Sequence, residues 1–364
     1  MLLQVLFYVF CGAFMVQFVY YLLVFFKLAD YKRDKVMRPE KHAVSVIIAA
    51  KNEAKNLKEN LPYILGQNYN NYEVVVVNDG STDETLHILQ KFEAKHKNLK
   101  IVNVTNGKGK KNAITLGIQN AQNEVLLFTD ADCKPKSPEW VNQMQMNFNG
   151  YTDLVLGYGP MHKTAGLINK IIRFDTFFIA LQYFSLALIG KPYMGVGRNM
   201  AYRKSLFTKA NGFESHKNVQ SGDDDLFVNE VATQQNTVIE IRPTTHVLSN
   251  AKATFRSWVT QKRRHMTTSS SYTFGNKIML GLFSGSQLLF WILFFMLIIS
   301  NFKFIEVVGL FLSRLFLQMF VYSKTMNKLG EKDLLVFAPF FELILLVLNP
   351  FFLLSSIFTE KKWE

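Results

Sequence analysis

The segment EVLLFTDADCKP runs from Glu124 to Pro135. Leu126, Leu127 and Phe128 read as the end of a buried strand, and Asp130 and Asp132 follow it with one alanine between them. Neighbouring carboxylates repel each other and resist burial, so a strand that delivers two of them needs something to share their charge. A hard divalent cation does this. Mg²⁺ or Mn²⁺ prefers oxygen ligands and takes one or two carboxylates together with phosphate oxygens. A D-x-D triplet alone is weak evidence, so its surroundings carry the argument.

Upstream, strand and helix patterns alternate. Ala43 to Ala49 is a short β-branched run. Asn52 to Leu65 places Leu57, Leu61, Ile64 and Leu65 on one helical face. Tyr72 to Val77 reads as a fully buried strand that ends at the turn Asn78-Asp79-Gly80. Ser81 and Glu84 form a capping-box pattern for a helix carrying Leu86, Leu89 and Phe92. Lys100 to Val104 is a further strand, Lys111 to Gln122 a helix, and Glu124 to Phe128 the strand that leads to the aspartates. Such alternation predicts a parallel sheet, and ligands of such sheets bind beyond the carboxyl ends of the strands. Lys51-Asn52-Glu53, Asn78-Asp79 and Asp130-Asp132 therefore belong on one edge. Cys133 is expected to be a small packed residue, since it has no evident partner.

Downstream, Gly222-Asp223-Asp224-Asp225-Leu226 offers three consecutive carboxylates before an apolar run. The bland reading is a solvated helix start; the other is a general base made more basic by its neighbours. In Gln261-Lys262-Arg263-Arg264-His265, arginine suits bidentate phosphate binding, whereas Lys262 and Arg263 read as a basic membrane flank.

The 364 residues include 33 phenylalanines, and 49% of the chain is hydrophobic. Leu2 to Phe26 carries no charge. At about 1.5 Å per residue it can cross a hydrocarbon core of roughly 30 Å, and it is too long and lacks the basic start of a cleaved leader. Ile278 to Phe302 is a second uncharged run. Phe304 to Tyr322, with Glu306 and Arg314, and Leu334 to Phe358, with Pro339, Glu342 and Pro350, are weaker spans. Their charges and prolines are tolerable where neighbouring helices cover them. Phe174 to Ile189 is apolar with one charge and short for a span; it reads as a core helix or an interfacial one, and the tethering of the domain at both ends favours the interface.

The net charge is +13. Lys27, Lys32, Arg33, Lys35 and Arg38 follow the first span, as a cytoplasmic flank does, and they favour an anionic leaflet. Nucleic acid is not expected as a partner, since no recognition motif accompanies the charge. Four spans would put Lys361 and Lys362 outside, against the same rule, so Leu334 to Phe358 could instead re-enter or break into two short helices. The expected organisation is a transmembrane anchor over 1–28, a polar domain over 29–277 and a membrane region over 278–364 with two to three transmembrane helices.

These motifs, in this order, resemble the inverting, membrane-bound glycosyltransferases of family 2. VSVIIAAKNEAKNL (44–57) is similar to the family's opening strand and Asn-Glu turn, and VVVVNDGSTDET (74–85) to its nucleotide-binding signature. FTDADC (128–133) resembles its metal-binding D-x-D, and GVGRNMAYRKSLF (195–207) the segment near the acceptor. SGDDDLF (221–227) resembles the base motif, and QKRRH (261–265) the Q-x-x-R-W motif. The resemblance implies a GT-A-type (Rossmann-like) α/β fold, with a mixed sheet, flanking helices and transmembrane helices at both termini. Residues 43–150 would form the nucleotide-sugar half and 151–277 the acceptor half.

It further implies an integral protein of the plasma (inner) membrane whose cytoplasmic domain moves a sugar from a nucleotide-diphospho-sugar, a UDP-sugar by resemblance, to a lipid-linked or saccharide acceptor, with membrane lipids as further partners. Glu53 and Asp79 would hold the nucleoside. Asp130 would contact the nucleotide and share with Asp132 an Mg²⁺ or Mn²⁺ ion. Gly197 and Asn199 would lie by the acceptor, and Gln261 and Arg264 where diphosphate and acceptor meet. Lys110, in the GKGKKNA loop, either approaches the donor or is solvated. The base is Asp223 or Asp224; spacing to Leu226 is regular for Asp223 and one residue short for Asp224. His265 stands where tryptophan is usual, which weakens the case for a processive synthase. A sugar nucleotidyltransferase would need a triphosphate loop that VSVIIAAKNEA does not offer. A non-catalytic scaffold would leave the filled acidic positions unexplained.

Overall fold

A computed structural model describes residues 1–32, 40–107, 109–219 and 221–356. Arg33, Lys35 and Arg38 of the basic flank lie outside the described residues, as do Lys361 and Lys362.

Seven strands form one mixed sheet in the order β3-β2-β1-β4-β7-β6-β8. They are β1 (Val44–Ala50), β2 (Tyr72–Asn78), β3 (Leu99–Asn103), β4 (Val125–Phe128), β6 (Leu154–Gly157), β7 (Met200–Arg203) and β8 (Thr237–Glu240). A separate antiparallel pair joins β5 (Cys133–Pro135) to β9 (Val247–Ser249). The first four strands are mutually parallel, as the alternating pattern predicts. β7 departs from it, running antiparallel between β4 and β6.

Unbroken apolar strands are needed because both faces are covered. Val44, Val46 and Ile48 point into a core with Leu57 and Leu61 of helix α1 (Ala54–Leu65). Ile47, Val75 and Val77 point into a second core with Ala113, Ile114 and Ile118 of helix α2 (Lys110–Asn120).

The capping box foreseen at Ser81 and Glu84 is not made. The Ser81 hydroxyl accepts the Asn52 N–H at 2.9 Å, and the helix begins at Thr85. The Asn52 side chain in turn accepts the Thr82 N–H at 2.8 Å, and Thr85 accepts the Glu53 N–H at 2.8 Å. These bonds stitch the loop after β1 to the loop after β2. Asn52 sits at φ 55°, a left-handed conformation that asparagine tolerates.

Among the described residues, five helices are long and apolar enough to cross a membrane: Leu2–Asp30, α3 (Leu167–Leu188), α4 (Phe274–Ile299), α5 (Phe304–Leu329) and a last segment from Lys332 that includes α6 (Ala338–Ser356). α3 corrects the interfacial expectation for Phe174 to Ile189. Protein encloses 78% of its apolar window, with Phe174 and Phe177 against Tyr322 of α5 and Phe174 against Phe341 of α6. It is a core helix between sheet and bundle.

The polar residues inside the other spans meet one another. Arg314 pairs with Glu342 and donates to Gln17 at 3.1 Å; Gln287 and Gln318 donate to Glu342 at 2.6 and 2.7 Å. Tyr21, Phe290 and Trp291 pack their rings around the guanidinium. One buried ion pair thereby joins these four candidate spans out of reach of water. Both ends of α6 meet the polar domain. Just before it, Glu331 and Asp333 pair with Arg173 at 2.5 and 2.7 Å. Near its end Phe352 packs against Trp258, and the Ser355 carbonyl accepts from Arg263 at 2.9 Å.

Breaking one partner of a buried ion pair strands the other's charge. Glu342→Leu should lower stability by about 3–5 kcal/mol, and Arg314→Met added to it should recover most of that loss. Thermal unfolding of the detergent-purified protein measures both.

Candidate active site

The parallel strands β1, β2 and β4 end on one edge, followed there by Glu53, Asp79 and Asp130. Because β7 is antiparallel, its start, not its end, reaches that edge: Met200 pairs with Phe128, and Gly197, Arg198 and Asn199 precede it.

Lys110, the first residue of α2, is the hub. Its ammonium lies 3.0 Å from Asp130 Oδ1 and 3.1 Å from Asp223 Oδ2. Burial alone would favour the neutral amine, but Asp130, Asp223 and Asp224 outweigh it and raise Lys110 well above its ordinary value. Burial opposes ionisation of Asp130 as well; Lys110, then Arg198 and Arg264, hold that carboxyl below the usual range. Asp132 moves the other way, raised by burial and by Asp130. Asp223 is raised by burial, with Asp224 and Asp130 adding to it and Lys110 opposing.

The ligand atoms of Asp130, Asp132 and Cys133 lie within 4.8 Å of one another. Cys133 is buried, and burial with the two carboxylates pushes its thiol well above the ordinary value, so it stays protonated and donates to Asp132 at 3.3 Å. What remains for a cation is carboxylate oxygen, a donor set that fits Mg²⁺ or Mn²⁺. Asp79 accepts the Gly109 N–H at 3.0 Å through Oδ2, while its buried Oδ1 has no partner among the described residues. Glu53 is raised by burial and accepts from Asn56 at 2.5 Å.

The acidic triplet divides. Asp224 accepts the Gly197 N–H at 2.7 Å and the Asp225 N–H at 2.8 Å. A Cβ at Gly197 would stand 3.3 Å from that carboxylate, a close approach that suits glycine. Asp225 accepts hydroxyls from Thr268 at 2.5 Å and Tyr272 at 2.8 Å. The buried Oδ2 of Asp223 has no hydrogen-bond partner among the described residues and meets the Lys110 ammonium as an ion pair. Gly222, at φ +96°, turns the chain so closely onto Leu226 that a Cβ would fall 2.5 Å from its Cδ1. No acidic side chain fits there.

Asn199 does not face the cleft. It is fully buried, accepting from Trp140 at 3.0 Å and donating to the carbonyls of Tyr158 and Thr245 at 2.7 and 2.9 Å. Lys262 is likewise no exposed membrane flank, because it is buried against Asp175 at 2.9 Å. Arg264 lines the cleft with Lys110, Asp223 and Asp224. Gln261, His265 and Lys262 line an adjoining cleft of about 630 Å³ with Tyr158, Trp258 and Arg198. His265 is pushed well below its ordinary value by loss of water in the cleft and by the cations Arg264 and Lys262, and stays neutral.

Arg198 went unassigned in the sequence. Its guanidinium is anchored on the Gly159 carbonyl at 2.9 and 2.6 Å, and its charge reaches Asp130 and Asp132. The available signal was that it stands between Gly197 and Asn199, at a strand start that only an antiparallel neighbour brings to this edge.

Residues 45–209 match Glycosyl transferase family 2. This segment is a family 2 glycosyltransferase domain. Over 117 residues the chain is 36% identical to glycosyltransferase AglE of Haloferax volcanii, covering 31% of this chain and 38% of that protein. Over 111 residues it is 32% identical to a poly-beta-1,6-N-acetyl-D-glucosamine synthase of Staphylococcus epidermidis, covering 30% and 27%. Over 97 residues it is 37% identical to dolichyl-phosphate beta-glucosyltransferase ALG5D of Trichomonas vaginalis, covering 24% and 30%. The matches thus span well under half of these relatives. The fold is shared more widely. A solved mannosyltransferase, PcManGT from Pyrobaculum calidifontis in complex with GDP-Man and Mn²⁺, superposes with TM-score 0.60 at 16% identity over 96% of this chain and 99% of that one. The family 2 domain therefore has the GT-A fold.

Asp225 titrates near pH 7 in the folded chain because burial and Asp224 oppose its charge; its ordinary value is 3.8. The native state therefore binds this proton more tightly, and stability falls as pH rises from about 4 to about 7. Asp225→Asn keeps an acceptor for Thr268 and Tyr272. It should flatten that part of a stability curve followed by denaturant unfolding at several pH values.

Proposed function

We propose that the chain is a membrane-integral inverting glycosyltransferase that moves a sugar from a nucleotide-diphospho-sugar to a lipid-linked or saccharide acceptor. The supporting observation is that Lys110 holds Asp130, beside Asp132, and Asp223 together on the carboxyl edge of the sheet. Asp79 and Glu53 bind the nucleoside, the free Oδ1 of Asp79 accepting from it. Asp130 and Asp132 hold Mg²⁺ or Mn²⁺, which neutralises the departing diphosphate when bound. Arg264, together with Arg198, adds positive charge on the same side. Asp223 is the base: its raised pKa suits proton abstraction, and its carboxylate is not spent on backbone N–H groups as that of Asp224 is. It takes the acceptor hydroxyl's proton as the oxygen attacks the anomeric carbon. The bond to the diphosphate breaks on the opposite face, and the configuration inverts.

The polar domain faces the cytoplasm. Leu2–Asp30, α4 and α5 cross the membrane, while α6 runs beneath the domain and returns the chain to the same side. This supports the re-entrant alternative for Leu334 to Phe358 and puts Lys361 and Lys362 on the cytoplasmic side, as the positive-inside rule favours.

With the purified protein, a panel of donors and membrane-extract acceptors, nucleoside diphosphate release should depend on Mg²⁺ or Mn²⁺. Asp132→Ala and Asp223→Asn should each lower turnover by about 10²–10⁴. Asp224→Asn should cost about tenfold or less, through a loosened Gly197 loop. Full turnover in Asp132→Ala and Asp223→Asn would refute the mechanism. A reporter fused after Glu364 should report the cytoplasm.

A further inference from the structure

We propose that Lys110 is a gate on the base: in the free enzyme its ammonium ties Asp223 to Asp130, and donor binding with its cation frees Asp223 by drawing that ammonium away. The inference rests on the donor-site reading above and adds a residue that changes partners during the cycle.

The argument is one of charge and geometry. A single ammonium touches two carboxylates from opposite halves of the site, at 3.0 and 3.1 Å. The Asp223 side chain is 9% exposed, and its buried Oδ2 has no hydrogen-bond partner among the described residues, which leaves the Lys110 ammonium as its counter-charge. A buried carboxylate without a counter-charge is costly, so the free site needs this contact. The same contact makes Asp223 a weaker base, since a neighbouring ammonium favours the carboxylate over its protonated form. A divalent cation at Asp130 and Asp132 competes directly for the Asp130 oxygen. The diphosphate it brings offers Lys110 new anionic oxygens within the same cleft. The lysine's flexible stem allows this exchange, whereas a guanidinium anchored like that of Arg198 would resist it. The consequence is order: the base reaches full strength only when a donor is in place, which spares the empty acceptor site idle proton transfer.

The test uses the full chain in detergent, with Mn²⁺ alone and inorganic pyrophosphate as probes in calorimetry. Lys110→Met should tighten Mn²⁺ binding about tenfold and, at saturating Mn²⁺, weaken pyrophosphate about tenfold or more. These opposite signs are what a partner-switching cation produces. Asp223→Asn should weaken Mn²⁺ severalfold in the wild-type background, because the ammonium then sits wholly on Asp130, and by less than twofold in the Lys110→Met background. Lys110→Arg, which keeps the charge, should retain wild-type Mn²⁺ affinity and serves as the folding control. Mn²⁺ binding that is indifferent to Lys110→Met, or an Asp223→Asn effect equal in both backgrounds, overturns the gate alone. Failure of wild type to bind Mn²⁺, or binding that survives Asp132→Ala, overturns the donor-site reading and the gate with it.

Discussion

The site depends on the direction of β7. Four parallel strands bring Glu53, Asp79 and Asp130 to one edge, which is half of a binding cleft. The other half arrives only because β7 runs against β4 and β6. Reversal places the segment before β7 on the carboxyl edge, and with it Gly197, whose N–H fixes Asp224. Fixing Asp224 positions the whole Gly222 turn, and that turn sets Asp223 opposite Lys110. A parallel β7 would put its start on the far edge and leave Glu53, Asp79 and Asp130 without the facing half of the cleft.

The same physics operates at two depths. At the cleft, carboxylates gather because cations divide their charge: Lys110 between Asp130 and Asp223, with Arg198 and Arg264 behind. In the bundle, Arg314 and Glu342 lie where no water reaches, and glutamines from two helices saturate the remaining carboxylate valence. The difference is function. In the bundle, two glutamine amides and the Arg314 guanidinium converge on one carboxylate and tie the helices together. In the cleft, Asp79 Oδ1 and Asp223 Oδ2 are buried without a hydrogen-bond partner among the described residues, and buried carboxylate oxygens left over on a sheet edge read as a site.

Local pattern and the resemblance carried different parts of the sequence reading. Strand runs such as Tyr72 to Val77 and the edge position of their following polar residues were legible, because burial on both faces demands continuous apolar residues. The pairing of charges inside the spans was foreseeable in kind, since lone charges in a membrane are rarely left lone. Asn199 and Lys262 were misread because sequence position does not reveal direction. One faces inward to Trp140, the other meets Asp175, eighty-seven residues away. Ser81 matched a capping pattern, yet Asn52, in a left-handed turn, claims its oxygen first. Long-range partners outbid local motifs wherever both want the same atom.

α3 explains why membrane and catalytic parts form one body. It is as apolar as a span, but its charges tie it to both parts: Arg173 pairs with Glu331 in the connection between α5 and α6, and Asp175 holds Lys262 on the helix Phe255–Ser269 of the polar domain. Its aromatic rings meanwhile pack on Tyr322 and Phe341. A helix whose apolar rings and buried charges are both met by protein is covered on its long apolar window. It is held at the boundary by protein on both sides. The adjoining cleft, lined by Tyr158, Trp258 and Arg198, has α3 for a wall and Trp258 seated on α6. The cleft wall is therefore set in part by the helical bundle, through α3 and through Trp258 on Phe352.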